Sequence, residues 1–264
     1  MYNHSSPLIV RPVRAFADNY IWLIESPRAP KAVVAVDPGD AAPVLEELRR
    51  SDSTLAAILL THHHPDHIGG VPELLRHAPV PVIGPDDPRI AQRTLSLHEG
   101  ERCELPELGL SFEILTVPGH TLSHIAFYGH GVLFCGDTLF SAGCGRMFEG
   151  TPTQMNASLT KLRDLPPDTR MFCGHEYTAA NLRFALTVDP ANDAALEYRS
   201  SVDRVRAAGN PSLPSTLGLE IRVNPFLRCE APAVVAAAER HAGRPLHGAA
   251  EVFGTLRAWK DQFR

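Results

Sequence analysis

Residues 61–67, Thr-His-His-His-Pro-Asp-His, constrain this chain more than any other segment. They follow the apolar run Leu55–Leu60, which is typical of a buried strand, so these polar side chains come where the strand leaves the core. Neutral imidazoles and a carboxylate are ligands that zinc, iron and manganese accept. Without a cation, such a group of ionisable side chains is poorly compensated. We therefore predict a metal-binding loop, rather than a surface histidine run, with the ligands His62, His64, Asp66 and His67.

Three further candidate ligands stand just past the ends of other predicted strands. Each comes directly after a glycine: His120 in Pro-Gly-His-Thr, Asp137 in Cys-Gly-Asp-Thr and His175 in Cys-Gly-His-Glu. Because strand ends in layered α/β folds line a common crevice, we expect these side chains to join the first group. Seven ligands exceed what one four-coordinate ion with an open position needs. We predict one ion on His62, His64 and His120, a second on Asp66, His67 and His175, and Asp137 as the bridge.

The remaining pattern predicts an α/β region followed by a helical one. Short β-type runs bounded by Gly, Pro or Asp alternate with helical patterns, which is typical of layered α/β domains. Thr151 and Gln154 form a capping box with Pro152 at the first helical position. We predict an α/β domain over residues 1–175 and a mainly helical domain over 176–264. The main predicted strands are Tyr20–Glu25, Ala32–Val36, Leu55–Leu60, Leu110–Val117, Ile125–Tyr128, Val132–Cys135 and Met171–Cys173.

Composition and charge exclude several classes of protein. The 264 residues are 44% hydrophobic and 21% charged, which is typical of globular domains and excludes a disordered or collagen-like chain. The net charge of −5 gives no general attraction to nucleic acid or anionic lipid, so we expect neither partner. We find no apolar stretch near the ~18–20 residues of a membrane span, and no signal peptide in Met1–Arg14. The 5 scattered cysteines match no disulfide framework, so we expect buried thiols and a cytoplasmic location.

The motifs resemble the glyoxalase II (hydroxyacylglutathione hydrolase) family of the metallo-β-lactamase superfamily. The superfamily pattern is matched by the seven candidate ligands. Six segments narrow the resemblance to glyoxalase II. They are residues 136–140, 143–146, 148–151 and 173–178, Asn-Pro-Phe-Leu-Arg at 224–228, and the tail at 257–263. The resemblance implies an αββα sandwich as the catalytic domain, with a small C-terminal helical domain that binds substrate. It also implies two divalent metal ions, zinc first, with iron or manganese as alternatives.

A substrate follows from the same resemblance. It is S-D-lactoylglutathione, hydrolysed to D-lactate and glutathione in the second step of methylglyoxal detoxification, and we expect a monomer to do this. Arginine and lysine are natural partners of the two glutathione carboxylates. From the residues alone, a solvated helix face is the better explanation of Arg257 and Lys260, and the resemblance favours substrate contact instead. The positions that match the family's glutathione contacts are Arg146, Tyr177, Asn181, Arg257 and Lys260.

We expect catalysis by a hydroxide that bridges the two metal ions. Two cations lower the pKa of a shared water, and the hydroxide then attacks the thioester carbonyl carbon. Asp66 holds this hydroxide by a hydrogen bond, and the metals stabilise the oxyanion. A thiol with a pKa near ~8.5 leaves without a general acid. Two positions depart from the family: Phe148, where some relatives have tyrosine, and Ser123, where glycine is frequent in the superfamily.

Other interpretations fit parts of the pattern. A persulfide dioxygenase has a similar core but uses one iron and lacks this tail. A β-lactamase normally requires export, a nuclease should show a basic groove, and a non-catalytic metal-binding module predicts no thiol release. Asp37 can orient a ligand imidazole or simply begin the turn before Pro38. We expect His63 beside the ligands or at the surface, and His124 in a turn hydrogen bond.

Overall fold

The apolar runs in the first two thirds of the chain form strands, as the sequence predicts. The structure, a computed structural model, describes residues 8–263, so part of the segment that we searched for a signal peptide lies outside the described residues. Two units are distinguished. The first reaches to residue 116 and includes residues 125–136, and the second consists of residues 117–124 and residue 137 onward. The domain boundary that we place after residue 175 does not coincide with this division and stays a prediction.

The first unit begins with a six-stranded sheet whose strands follow one another in chain order. The first three strands pair antiparallel, and the remaining neighbours pair parallel, which requires a crossover between them. Helices supply two of these crossovers: α1 (Ala41–Arg50) precedes β4, and α2 (Pro65–Ile68) with α3 (Val71–His77) precedes β5. The strands are β1 (Val10–Ala15), β2 (Asn19–Glu25), β3 (Ala32–Val36), β4 (Thr54–Leu59), β5 (Val82–Pro85) and β6 (Leu95–Leu97).

Both faces of this sheet are buried. On one face Leu23 and Ala35 share a hydrophobic cluster with Val44 of α1 and Leu74 of α3. On the other face Trp22 is also inaccessible to solvent. A sheet that is buried on both faces is an inner layer, which explains why its strands are nearly continuous apolar runs. Polar side chains therefore gather where these strands end.

Four antiparallel strands complete the first unit. They are β7 (Arg102–Leu105), β8 (Leu110–Thr116), β9 (Ile125–Gly129) and β10 (Val132–Gly136), with a short 3₁₀ helix at Pro106–Leu108. Each pairs with the next in chain order. Large aromatic side chains from three of these strands are fully buried: Phe112, Phe127 and Phe134.

The second unit is mainly helical. Thr151 and Gln154 form the predicted capping box at the start of α4. No helix within residues 8–263 is long and apolar enough to cross a membrane. The helices are α4 (Pro152–Arg163), α5 (Thr178–Val188), α6 (Asp193–Ala207), α7 (Leu217–Val223), α8 (Pro232–Ala242) and α9 (Ala249–Gln262), with a 3₁₀ helix at Pro225–Leu227. The strands are two short antiparallel pairs: β11 (Leu139–Phe140) with β12 (Gly143–Cys144), and β13 (Arg170–Cys173) with β14 (Ser215–Thr216).

Candidate functional site

His62 and His64 lie in the irregular segment between β4 and α2. The residue before a proline is pushed out of the helical region, and His64 has ψ 145° before Pro65. Their ring nitrogens converge, with His62 Nε2 3.1 Å from His64 Nδ1. Two nitrogens bound to one tetrahedral zinc ion stand about 3.3 Å apart. This spacing therefore suits a shared cation.

Asp66 and His67 are in helix α2, whereas we predicted a loop at both positions. The physical reason is Pro65, whose fixed φ begins a helical turn at its first position. His67 Nε2 lies 3.6 Å from Asp66 Oδ2. Asn19 Nδ2 also donates to Asp66 Oδ2 at 3.0 Å, while the Asp66 side chain stays 40% exposed. The helical turn thus brings these two ligands together, with the carboxylate accessible to solvent.

Asp37 orients the imidazoles of this group. Its carboxylate accepts hydrogen bonds from Thr61 Oγ1 at 2.7 Å and His67 Nδ1 at 3.0 Å. Since the Thr61 hydroxyl donates to Asp37, it accepts from His62 Nδ1, 3.0 Å away. Both imidazoles therefore carry their proton on Nδ1 and present an unprotonated Nε2, the form that binds a metal. Asp37 also has φ 51°, so it both turns the chain and positions ligands.

We call His62, His64, Asp66 and His67 the first ligand set, which lies in the first unit. His63, between two of its members, points away: its Nδ1 is 3.4 Å from Asp87 Oδ2, and its ring is largely buried. Ligand atoms of Asp37, His62 and His67 lie within 4.8 Å of one another. The first unit thus gathers a His/Asp group able to hold a cation.

His120, Asp137 and His175 form the second ligand set, in the second unit. A single carboxylate oxygen, Asp137 Oδ2, lies 3.5 Å from His120 Nε2 and 3.3 Å from His175 Nε2. All three side chains are buried. Because the oxygen faces two imidazole nitrogens at similar distances, the arrangement suits a carboxylate that bridges two cations.

Neighbouring groups fix the second ligand set. His120 Nδ1 donates to the carbonyl of Arg146 at 2.8 Å, which leaves Nε2 available as a ligand. The main-chain N–H of Asp137 donates to His124 Nε2 at 3.2 Å, so His124 makes the expected turn hydrogen bond. His175 stacks on Tyr177, with ring centroids 4.7 Å apart and planes within 4°. The rings of His120 and His175 are therefore each held on a second side, and Asp137 is held through its main chain.

Arg146, Arg257 and Lys260, which we call the basic cluster, also belong to the second unit. Arg257 is buried and donates to the Cys144 carbonyl at 2.8 Å and to Asp261 at 3.1 Å. Arg146 is mostly exposed, with its Nε 3.3 Å from the same Asp261 carboxylate. Asp261 therefore links two of the predicted glutathione contacts. No role was predicted for Asp261, although its i,i+4 spacing from Arg257 was a signal.

Lys260 carries the clearest electrostatic signature of the basic cluster. Burial, followed by the positive charges of Arg257 and Arg183, lowers the pKa of Lys260 to about 8. Its ammonium group donates to the Ala180 carbonyl at 3.4 Å and lies 5.4 Å from the centre of the Phe184 ring. Arg146 and Arg257 share the Asp261 carboxylate, and Lys260 adds a further positive charge, so the region favours an anionic ligand.

The other predicted substrate contacts are placed differently. Tyr177 stacks on His175, as described, and its ring also meets Phe140 edge-on at 5.2 Å. Asn181 is buried and donates to the Ser141 carbonyl at 3.0 Å, so its amide supports the chain at that point. Phe148 is 63% exposed and lies edge-on to His120 at 5.3 Å. An apolar ring thus occupies the position where some relatives carry a hydroxyl.

The cysteines are structural, as predicted. All five are buried free thiols. Burial raises the pKa of Cys144 to about 11, against a smaller opposing effect of Arg257. A thiol with so high a pKa is inert at neutral pH. No cysteine therefore competes with the ligand sets as the reactive group.

Two family models match the chain in succession. Residues 16–175 match the metallo-β-lactamase superfamily, and residues 176–263 match the C-terminus of hydroxyacylglutathione hydrolase. The hydroxyacylglutathione hydrolase of Idiomarina loihiensis is 51% identical, over 96% of this chain and 98% of its own length. The enzyme of that name from Aeromonas hydrophila is 53% identical, over 97% and 99%.

Solved structures share the fold. The B3 metallo-β-lactamase BLEG-1 aligns with a TM-score of 0.62 at 24% identity, covering 83% of this chain and 99% of its own. TTHA1623, solved in a di-iron-bound form, aligns with a TM-score of 0.56 at 28% identity, covering 84% and 100%. The predicted fold class, a metallo-β-lactamase αββα fold with a C-terminal helical domain, is confirmed. The chain belongs to the hydroxyacylglutathione hydrolase family of the metallo-β-lactamase superfamily.

Proposed function

We propose that this protein cleaves S-D-lactoylglutathione to D-lactate and glutathione with two divalent metal ions. Membership of its family makes it a hydroxyacylglutathione hydrolase, which is a thioester hydrolase. The acyl group, the number of ions and the role of each residue are our proposals. They rest on the chemistry of the two ligand sets and of the basic cluster.

The position of Asp137 carries the proposal of two ions. One of its carboxylate oxygens faces imidazole nitrogens of both His120 and His175. We assign His120 to one ion with His62 and His64, and His175 to the other with Asp66 and His67. Asp137 then serves both, as a bridging carboxylate. The orientation of His62, His67 and His120 by hydrogen bonds at Nδ1 supports the assignment, because each presents an unprotonated Nε2.

The bound ions would supply a low pKa for a coordinated water and an electrophile for the thioester oxygen. The chain's own residues would do the remaining work. Asp66, whose carboxylate is partly exposed, accepts a hydrogen bond from the attacking water and keeps it in line. As the carboxylate shared by both ions, Asp137 would offset part of their positive charge. No acid residue is required, since a thiol of pKa near ~8.5 departs as thiolate.

The basic cluster would bind the glutathione carboxylates. Arg146 is exposed, and Lys260 lies among further positive charges, so an anionic ligand relieves their mutual repulsion. Arg257 is buried and donates to the Cys144 carbonyl. It would add positive charge and hold the segment around Cys144 in place. We propose that Tyr177 also contacts glutathione. Asn181 would act indirectly, by holding the segment at Ser141 to whose carbonyl its amide donates.

Zinc is our first choice of metal, with iron or manganese as alternatives, because His/Asp sites accept all three. The di-iron form of the 28% identical TTHA1623 supports a site for two ions without deciding which. We also propose that the protein acts in the cytoplasm as a monomer, and the five buried free thiols fit a reducing compartment. Residues 176–264 would then act as the substrate-binding domain.

Thiol release tests this function. Metal-replete protein is assayed with S-D-lactoylglutathione and with the D-lactoyl thioester of N-acetylcysteamine, which has the same acyl group but neither glutathione carboxylate. We expect release from both and a kcat/KM at least about 100-fold higher for the glutathione thioester, since two charge-assisted contacts are lost in the control. No release from the glutathione thioester would contradict the proposed reaction. Equal kcat/KM values would contradict the role of the basic cluster.

A further inference from the structure

We infer that Glu220 is a positioning residue for this reaction, although it lies in α7 and belongs to neither ligand set. Its side chain is fully buried, and among residues 8–263 no cation pairs with it. Its carboxylate accepts hydrogen bonds from Ser141 Oγ at 2.7 Å, Ser215 Oγ at 2.5 Å and the Ala142 N–H at 2.7 Å. Two of these three donors belong to one turn of the chain, and that turn connects β11 to β12.

The turn at Ser141–Ala142 depends on side chains for its hydrogen bonds. Ala142 has φ 54°, a left-handed conformation that costs about 1 kcal/mol for a residue with a Cβ. Asn181 donates to the Ser141 carbonyl at 3.0 Å, and Asn224 donates to the carbonyls on either side, of Phe140 at 3.1 Å and Gly143 at 2.9 Å. Glu220 accepts hydrogen bonds from both the Ser141 hydroxyl and the Ala142 N–H. Removing its carboxylate takes away the acceptor of the buried Ala142 N–H.

This turn lies in the sequence between a member of the second ligand set and a member of the basic cluster. Asp137 precedes β11 by two residues, and Arg146 follows β12 by two residues. The hairpin is closed by the Gly145 N–H, which donates to the Thr138 carbonyl at 3.3 Å. A Cβ at Gly145 would stand 1.9 Å from the Asp137 carbonyl oxygen, so the two ends of the hairpin are in close contact. A shift of the turn therefore moves the bridging carboxylate and the Arg146 carbonyl that orients His120.

A carboxyl group is a costly way to fill a buried space. Burial raises the pKa of Glu220, and the hydrogen bonds from Ser215, Ser141, Ala142 and Asn224 oppose this effect. An apolar residue of similar volume would serve packing alone at lower cost. Tyr198 extends the network, because its hydroxyl lies 2.9 Å from Ser141 Oγ. The carboxylate is thus placed to fix one conformation of the turn.

Glu220→Gln tests the inference, which rests on the proposed function. The variant keeps the side-chain length but has one acceptor oxygen fewer. Val234→Ala, a buried change in α8 away from the hairpin, is the matched control for lost stability. The purified full-length proteins are compared by melting temperature, metal ions per chain from elemental analysis, and kcat and KM for S-D-lactoylglutathione below the melting transition.

We expect Glu220→Gln to lose about half of its metal and at least about 10-fold in kcat, which is typical of residues that orient ligands. The control should lose several degrees of melting temperature with metal content and kcat within about twofold of the wild type. Wild-type metal content and kcat in Glu220→Gln, or equal losses in the control, would overturn the inference. Should Glu220→Gln not fold, Ser141→Ala decides in the same way. If the wild type binds metal but cleaves no thioester, the proposed function fails, whereas the metal contents still decide the role of Glu220.

Discussion

The two ligand sets are built in different ways. The first lies within six consecutive residues, 62–67, where an extended stretch passes into the short helix α2. The second takes single residues from three separate segments, His120, Asp137 and His175. Each member of the second set depends on a partner elsewhere in the sequence, as His120 does on the carbonyl of Arg146.

This difference predicts how each set responds to change. The first is fixed by the local geometry at Pro65 and by one carboxylate, Asp37, which lies 30 positions from His67 in the sequence. The second requires the β11–β12 hairpin to be in place, because the carbonyl that orients His120 comes directly after it. A substitution remote from the site should therefore weaken the second set more readily than the first.

Asp137→Ala should have the largest effect, because it removes a ligand shared by both ions. We expect kcat to fall by at least about 100-fold and metal content to fall below one ion per chain, as is typical when charge stabilisation in the transition state is lost. Asp168→Ala, at an exposed position of the same unit, is the control and should leave both unchanged. An Asp137→Ala protein with two ions and a normal kcat would contradict the bridging role.

Asp37→Asn should weaken the first ligand set alone. The asparagine amide has one acceptor oxygen fewer than the carboxylate. The hydrogen bonds that fix the tautomer of His67, and through Thr61 that of His62, are therefore weakened. We expect the affinity for both metal ions to fall about 10–100-fold in competition with a chelating dye, because His62 and His67 are assigned to different ions. Asp40→Asn keeps the cap of α1 and serves as the control. Equal affinities for both variants would show that Asp37 only shapes the turn.

Lys260 should separate substrate binding from metal binding within the second unit. Its pKa of about 8 means that the side chain is charged below this pH and loses its charge as the pH rises through it. An anionic substrate then binds less tightly, so KM should rise above pH 8 while kcat is unaffected by this group. Lys260→Met should raise KM about 10-fold at pH 7 and abolish this rise. A wild-type KM that is flat from pH 7 to 9 would argue against contact with a substrate carboxylate.

Thr151→Ala should have the smallest effect, since it removes the cap of α4 and touches neither ligand set. Loss of the capping box costs about 1 kcal/mol, which lowers the melting temperature by about 2–4 °C for a chain of this size. Metal content, kcat and KM should stay at wild-type values. Thr153→Ala, at an exposed position in the first turn of the same helix, should leave the melting temperature unchanged. Any loss of metal in Thr151→Ala would show that the second set is more sensitive than we infer.

Much of the architecture follows from local sequence signals. The strand at Ala32–Val36 and the helix at Val71–His77 have the predicted bounds, because a continuous apolar run and a helical period are both strong signals. The capping box at Thr151 is equally local. The candidate ligands could be recognised because each follows a glycine or a strand end. Helix α2 was missed, although Pro65 signalled its start.

Other features depend on contacts that no short window contains. Helix α7 has seven residues, which are too few to show a helical period. Strands of two residues, such as β11 and β12, show no alternation. Glu220 meets Ser141 79 positions away in the sequence, so nothing near it predicts a buried carboxyl. The orientation of His120 by the Arg146 carbonyl is equally invisible before folding.

Titration of metal-free protein with zinc shows whether the two ligand sets bind two ions through Asp137 and whether both ions are needed to cleave the glutathione thioester. Thiol release from S-D-lactoylglutathione is followed as zinc is added in known ratio to the chain. We predict that activity rises until two equivalents are bound and then stays constant. A plateau at one equivalent, or full activity without added metal, would contradict a site in which two ions act together.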